Sequence, residues 1–294
     1  MKILLTGANS NVGRGMIPRL AAQGHALVLS DIDKLPEKEP FTGHEFVQAD
    51  VQIGMGLERA AAGCDLILHL PAWHGIHWNA KTEADFWRLN IDGTFWMFQA
   101  AQSAGIKKVV FLSSQAWHGH YDKYGFTKRV GEELCEYNRQ RHGIRYVAVR
   151  PADFTPYRDY LHFGTRLLYG GVDREDVLDC IEASVGYSGE ESFFVNAVRP
   201  NAFTDAQTEG WAADPLGTCE ATFPGSRALV EKYGLDVKNR PGRSNADENP
   251  ASLGWAPKRH FGTFLDDLRE REAEMGEAGV RALTCPYVPA PGGG

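Results

Sequence analysis

Over residues 1–150, short apolar runs alternate with segments of helical periodicity. That alternation confines the chain to a parallel β-sheet with helices on both faces. The candidate strands are Lys2–Thr6, Ala26–Ser30, Glu45–Gln48, Leu66–Leu70, Lys108–Leu112 and Arg145–Val149. Their near-continuous Val, Ile and Leu content is what a sheet covered on both sides requires. Helices are expected at Val12–Gln23, Gly56–Ala62, Ala84–Ala104 and Tyr124–Arg141. After Pro151 the pattern gives way to an aromatic, Gly-rich loop; helical periodicity resumes at Asp173–Ser184 and Ser192–Ala197 reads as a further strand. Residues 200–258 are rich in Pro, Gly, Asn and Asp and read as mostly irregular, with a helix near Ser226–Tyr233. A charged helix from Phe261 to Glu277 and a Pro/Gly tail, Pro286–Gly294, complete the chain. The expected architecture is α/β: a doubly wound domain over 1–150, to which 173–199 return, and a small lobe built from 151–172 and 200–294.

Composition narrows the classes of function. Hydrophobic content of 43% and charged content of 23% over 294 residues are ordinary for a soluble globular protein. A net charge of −7 gives no reason to expect nucleic acid or an acidic membrane as partner. No apolar run approaches the roughly 20 residues of a membrane span, and the N-terminus opens on a strand without a signal-type segment. Five scattered cysteines suit reduced thiols better than a disulfide framework, so a cytoplasmic location is expected.

Thr6-Gly7-Ala8-Asn9-Ser10-Asn11-Val12-Gly13 follows the first strand and opens the first helix. A glycine-rich turn there lets backbone N–H groups and the helix N-terminus approach a pyrophosphate. The dinucleotide fingerprint is incomplete, because Ser10 stands where a middle glycine is expected. Asp31 ends the second strand, where an acid accepts hydrogen bonds from ribose hydroxyls and repels a 2′-phosphate, which favours NAD over NADP. Asp50 ends the third strand and could reach the adenine amino group, with Val51 against the ring. Each acid is alternatively a helix N-cap or turn residue, the preferred reading for Asp33. Arg14, a cation beside the turn, is the one signal that would tolerate a 2′-phosphate.

Tyr124-Gly125-Phe126-Thr127-Lys128 lies ten residues beyond Ser113-Ser114. On a helix Tyr124 and Lys128 share one face. A free phenol titrates near ~10; a neighbouring ammonium and an oxidised nicotinamide would favour the phenolate and bring that value down. Such a tyrosine can take a proton from a substrate hydroxyl while hydride leaves the carbinol carbon.

With these residues assembled, the chain resembles the extended short-chain dehydrogenase/reductases, the family of nucleotide-sugar epimerases and dehydratases. The resemblance runs over residues 1–200 and is carried by the Thr6–Gly13 turn, Asp31, Asp50-Val51, Leu68-His69-Leu70, Asn90-x-x-Gly93-Thr94, Ser113-Ser114, Tyr124-x-x-x-Lys128, Arg150-Pro151 and Glu175-Asp176-Val177. Leu253-Gly254-Trp255-Ala256-Pro257-Lys258 is similar to the family's terminal motif. The resemblance implies that Ser114 holds the reacting oxygen, Tyr124 acts as acid/base, Lys128 binds the nicotinamide ribose and Asn90 braces the site. Asn90 is otherwise a helix-bending structural amide. It also assigns Leu70, Pro71 and Ala72 to the NAD site beside Gly7, Asn9, Ser10, Asn11, Val12 and Gly13. The short connections from Ser114 to Tyr124 and from Pro151 to Glu175 leave room for a small substrate rather than a nucleotide-sugar. Within the family that layout is most similar to uronate dehydrogenase, which oxidises a uronic acid at C1 with NAD. Arg166 is then the candidate clamp for a substrate carboxylate, with Arg158 its competitor.

Two stretches fit that enzyme less well, Trp73-His74-Gly75-Ile76-His77-Trp78 and Trp117-His118-Gly119-His120. They follow the fourth and fifth strands, on the sheet edge where ligands bind. Trp73, His74 and Gln115 are expected to line a polar sugar pocket with Ser114. His74-x-x-His77 and His118-x-His120 could alternatively offer imidazole ligands; with the cysteines distant and no helical His pair beside a Glu, no metal is expected. His69 reads as a satisfied core histidine. The reaction expected is NAD-dependent oxidation of a sugar or sugar-acid hydroxyl. The alternatives are an epimerase or dehydratase that recycles its NAD and a non-catalytic NAD-binding regulator. Helices Ala84–Ala104 and Tyr124–Arg141 resemble those that pair in a four-helix dimer in this family, so a homodimer is expected unless Trp87, Phe95, Trp96 and Phe98 face the core.

Overall fold

The computed structural model describes residues 1–117, 121–157 and 159–286, with the backbone alone at Trp117. The chain divides into two compact units, the first formed by Met1–Pro151, Leu178–Asn196 and Asn249–Trp255. Among the described residues no helix is long and apolar enough to cross a membrane.

The first unit is a seven-stranded sheet in the order β3-β2-β1-β4-β5-β6-β7. Its strands are β1 (Lys2–Thr6), β2 (Ala26–Ser30), β3 (Glu45–Phe46), β4 (Leu66–His69), β5 (Lys108–Leu112), β6 (Arg145–Pro151) and β7 (Phe193–Ala197). Pairings from β3 to β6 are parallel, with Leu4 beside both Val28 and Ile67. Helices α1 (Asn11–Ala22), α2 (Leu57–Ala61), α3 (Glu83–Trp87), α4 (Gly93–Ser103) and α5 (Lys123–His142) alternate with the strands. The strand order reverses between β1 and β4. In open sheets the crevice for a ligand lies at such a point, beyond the carboxyl ends of the strands. Fully buried Leu4, Ile67, Met97, Phe98 and Val109 belong to the core beneath it.

The expected strands are present: β1, β2 and β5 have the expected ends, and β4, β6 and β7 differ by one or two residues. β3 is shorter than Glu45–Gln48, although the N–H groups of Val47 and Ala49 still donate to Leu29 and Asp31. The expected helix Ala84–Ala104 is instead α3, a π-helical turn Arg88–Asp92, and α4. The wider turn brings Asn90 to the buried side, where the Thr94 hydroxyl donates to its carbonyl at 2.7 Å.

The second unit comprises Ala152–Val177, Ala197–Glu248 and Ala256–Gly294. Its core joins Tyr160, Leu168, Trp211, Phe261, Phe264 and Leu268. The 151–172 stretch, read as loop, contains helix α6 (Tyr160–Tyr169), capped by the Asp159 carboxylate and packed on the last helix. Helix α7 (Arg174–Gly186) leads from this unit into the first. Residues 200–258, read as mostly irregular, hold α8 (Asp205–Glu209), α9 (Pro215–Thr222) and α10 (Ser226–Tyr233). Helix α11 (Phe261–Arg281) outruns the expected Glu277 and breaks at Gly276, where φ is 71°. Fully buried Asp176 accepts the backbone N–H groups of Lys258 and Arg259 and pairs with the Arg259 guanidinium at 2.7 Å. The Glu175-Asp176-Val177 and terminal motifs are thus two halves of one latch.

Candidate active site

Gly7 leaves β1 with φ of 72°, and a Cβ on it would stand 3.1 Å from the Pro71 ring. A Cβ on Gly13 would meet the carbonyl oxygens of Ala8 and Gly7 at 2.5 and 2.6 Å, so α1 begins pressed onto the turn. Ser10 is the N-cap: its hydroxyl accepts the Gly13 N–H at 3.0 Å. Its presence in place of a middle glycine therefore has a local cause. The first turn of α1 carries no acidic residue. The partial positive charge of the helix start is left for an anion, which fits a pyrophosphate. The Asp31 carboxylate reaches across to accept the Asn9 N–H at 2.9 Å and also takes that of Ile32. Asn11 opens the helix, and Val12 is buried under the turn. Asp50 behaves as a turn residue, its carboxylate accepting the Gln52 N–H at 2.9 Å. Val51 is sunk in the core, 3.1 Å from where a Gly93 Cβ would lie. Beyond β4, Leu70 is buried, and Pro71 and Ala72 are half-buried.

The carboxyl end of β5 and the start of α5 form the other wall. Asp122 caps α5, accepting the N–H groups of Tyr124 and Gly125. Left-handed Gly143 ends it, and Arg139, Arg141 and His142 oppose the dipole in its last turn. Lys128 is only 3% exposed. Its ammonium donates to the Leu112 carbonyl at 2.6 Å and lies 5.3 Å from the centre of the Phe111 ring. Burial draws its pKa down to about 7. Two residues past Leu112, buried Ser114 accepts the Ala116 N–H on its hydroxyl oxygen at 3.0 Å. Tyr124, one turn before Lys128, is half-buried, with its ring edge-on to Phe86 and 6.4 Å from His74.

Asn90 binds these walls together. Its amide oxygen accepts the Trp73 N–H at 2.8 Å, and its amide nitrogen donates to the Trp73 carbonyl and the Thr127 hydroxyl. It is both a brace and the amide of a bent helix.

Two features were not legible in the sequence. The Ser113 hydroxyl donates to buried Glu132, which holds Arg150 through two hydrogen bonds of 2.8 and 2.7 Å. Glu132 and Arg150 were visible only as motif members. His69 is a core histidine as expected, sharing a 2.9 Å hydrogen bond with the Thr6 hydroxyl and stacking on Phe111, but it is not fully satisfied: its Nε2 is buried without a partner among the described residues. Burial and the Lys128 charge lower its pKa to about 3, so it is neutral. The second feature is Lys123, whose ammonium donates to the Trp78 and Lys81 carbonyls.

Among the residues expected at the substrate, Trp73 sits under the Lys81 ammonium and edge-on to His77. Gln115 donates to the Asn196 side chain at 2.8 Å. Arg166 belongs to the second unit, where Asp153 and Thr155 accept from its guanidinium at 3.3 and 3.0 Å; its Nε is buried without a partner. His118, Gly119, His120, Arg158 and residues 287–294 lie outside the described residues, as does the Trp117 side chain. Among the described residues no three His, Cys, Asp or Glu side chains gather as metal ligands, and all five cysteines are buried thiols.

An open parallel sheet with a glycine turn at β1 and a Ser/Tyr/Lys set at β5 and α5 defines a dinucleotide-binding protein of the doubly wound class. Residues 3–174 match the model of the NAD dependent epimerase/dehydratase family, and the chain belongs to that family. It is similar to uronate dehydrogenase of Pseudomonas syringae pv. tomato, 32% identical over 166 residues, which are 51% of this chain and 58% of that one. It is also similar to an L-arabinose 1-dehydrogenase (NAD(P)(+)) of Haloferax volcanii, 27% identical over 51% of this chain and 65% of that one. The fold matches a mutant uronate dehydrogenase from Agrobacterium tumefaciens complexed with NAD: TM-score 0.65, 22% identity, 99% of this chain and 92% of that one.

Proposed function

We propose that this protein is an NAD-dependent dehydrogenase that oxidises a hydroxyl of a small sugar or sugar acid, with Tyr124, Lys128 and Ser114 as its chemistry. The observation that carries the reading is the buried Lys128 ammonium, one helical turn from Tyr124 and hydrogen-bonded at the strand end that leads to Ser114. Tyr124 takes the proton of the substrate hydroxyl; the Lys128 charge favours its phenolate. The Ser114 hydroxyl donates to the reacting oxygen. Asn90 keeps the Trp73 backbone and the Thr127 turn of α5 at fixed spacing, and orientation of this kind supplies much of the acceleration in such sites. NAD, held at the Gly7–Gly13 turn and Asp31, supplies the hydride acceptor when bound. The sugar as substrate class is supported by the names of the relatives, uronate dehydrogenase and L-arabinose 1-dehydrogenase; Arg166, whose buried Nε has no hydrogen-bond partner among the described residues, is the candidate for a uronate carboxylate.

The test is NADH formation with NAD and a panel of uronic acids, neutral aldoses and polyols. Tyr124→Phe is expected to lower turnover by about 10²–10⁴-fold without weakening NAD binding. Arg166→Ala is expected to raise KM for uronates and leave neutral aldoses unchanged. Tight NAD binding with no NADH from any substrate would sink this reading in favour of an enzyme that recycles its cofactor internally.

A further inference from the structure

The segment from Trp73 to Lys81 follows β4 and is held by local turn hydrogen bonds and by ties to neighbouring elements. Ile76 and Trp78 are exposed, and a short three-residue helical turn, Gly75–His77, is its only regular structure. Ordering such a segment costs backbone entropy, which specific ties offset. One is the Asn90 amide on both backbone groups of Trp73. The other is Lys123, whose ammonium donates to the carbonyls of Trp78 and Lys81, each at 2.7 Å. The same ammonium lies 4.7 Å from the Trp78 ring centre and 5.0 Å from that of Phe86. Two carbonyl oxygens and two π faces make a cage suited to a compact cation.

Between the ties the rings are ordered against one another. Lys81 covers Trp73 at 4.3 Å, Trp73 meets His77 edge-on at 4.8 Å, and His77 meets His74 at 4.6 Å. His77 Nδ1 accepts the His74 N–H at 3.2 Å, and burial lowers the His77 pKa, so this ring is a neutral acceptor toward the loop. The last ring in the series, His74, stands 6.4 Å from Tyr124.

We propose that Lys123 is a positioning residue: by clamping the Trp78 and Lys81 carbonyls it fixes the 73–82 loop, so that His74 stands beside Tyr124 as a hydrogen-bonding group for a neighbouring hydroxyl of a polyhydroxylated substrate. The His74 role rests on the reading of Tyr124 as acid/base; the clamp does not. A hydroxyl next to the reacting carbon would distinguish sugars from simple alcohols, which offer His74 nothing to bind.

Two variants test it on the full-length protein. In Lys123→Met, amide hydrogen exchange over residues 73–82 is expected to quicken by about tenfold or more. NAD affinity should stay within about twofold, while sugar KM rises about tenfold with kcat changed less. His74→Ala should reproduce the KM rise without the faster exchange. Unchanged loop exchange in Lys123→Met overturns the clamp. An unchanged KM in His74→Ala, or a Lys123→Met that loses NAD affinity and kcat together, overturns the positioning role. If the wild-type protein oxidises no sugar, the proposed function falls, and the exchange measurement still decides the clamp.

Discussion

Lys128 shows what a site residue costs the fold that carries it. An ammonium that is 3% exposed, with a backbone carbonyl as its hydrogen-bond acceptor, resists being charged, which is why its pKa falls from 10.5 to about 7. Between pH 7 and 10.5 the unfolded chain therefore holds the proton more tightly than the folded one. Stability from this group rises with pH across that window, by at most about 1.4 kcal/mol per pH unit, and the full cost is felt below pH 7. Lys128→Met removes the effect. The Tm of the wild type minus that of the variant is expected to climb from pH 7 towards pH 10; a flat difference would contradict it. Tyr124, Lys128 and Ser114 could be singled out in the sequence as a candidate set because the proposed chemistry needs fixed residue types at fixed spacing. Glu132 and Arg150 were not legible as a pair: they lie on different elements, and nothing local announces a bond between them.

At the scale of elements, α5 carries most of the candidate site: Lys123, Tyr124, Thr127, Lys128 and Glu132 occupy its first half. Glu132 fixes how it meets β6. With side-chain exposures of 6% and 13%, Glu132 and Arg150 form a buried pair. Breaking such a pair strands one charge, at a cost of about 3–5 kcal/mol. Arg150→Met is therefore expected to lower unfolding free energy by that order in denaturant titration, and Glu132→Gln combined with it to recover part of the loss. The strands and the helices α1 and α5 could be read because their patterns and caps agree. Helix α6 escaped notice because Gly164 and an aromatic-rich sequence hide its period, although buried Tyr160, Gly164, Leu167 and Leu168 share one face. α9 escaped because Pro215 and Gly217 suggest a turn, whereas Asp214 caps a helix there. The π-helical turn at Asn90 has no signature distinct from the surrounding helix.

At the scale of the molecule, three helices, α3, α4 and α5, present aromatics outward. Trp87 and Phe126, 48% and 37% exposed, have ring centres 6.3 Å apart, and Phe95 and Trp96 are also exposed; Phe98 alone of the four weighed in sequence faces the core. Single exposed aromatics are ordinary, but a run of them marks an interaction surface. We propose that this face pairs two copies of the chain. Trp87→Glu with Phe126→Glu is expected to give monomers in sedimentation experiments where the wild type gives dimers; a monomeric wild type would end the idea. The chain also weaves between its two units, crossing at 151/152, 177/178, 196/197, 248/249 and 255/256. Neither unit is a contiguous stretch, so neither can be excised with one cut. A fragment ending at Pro151 would lose β7 and leave β6 as a bare edge open to pairing with other chains. Deletion mapping would then report aggregation as though it were loss of function, and for this topology point substitutions are the instrument that separates the two.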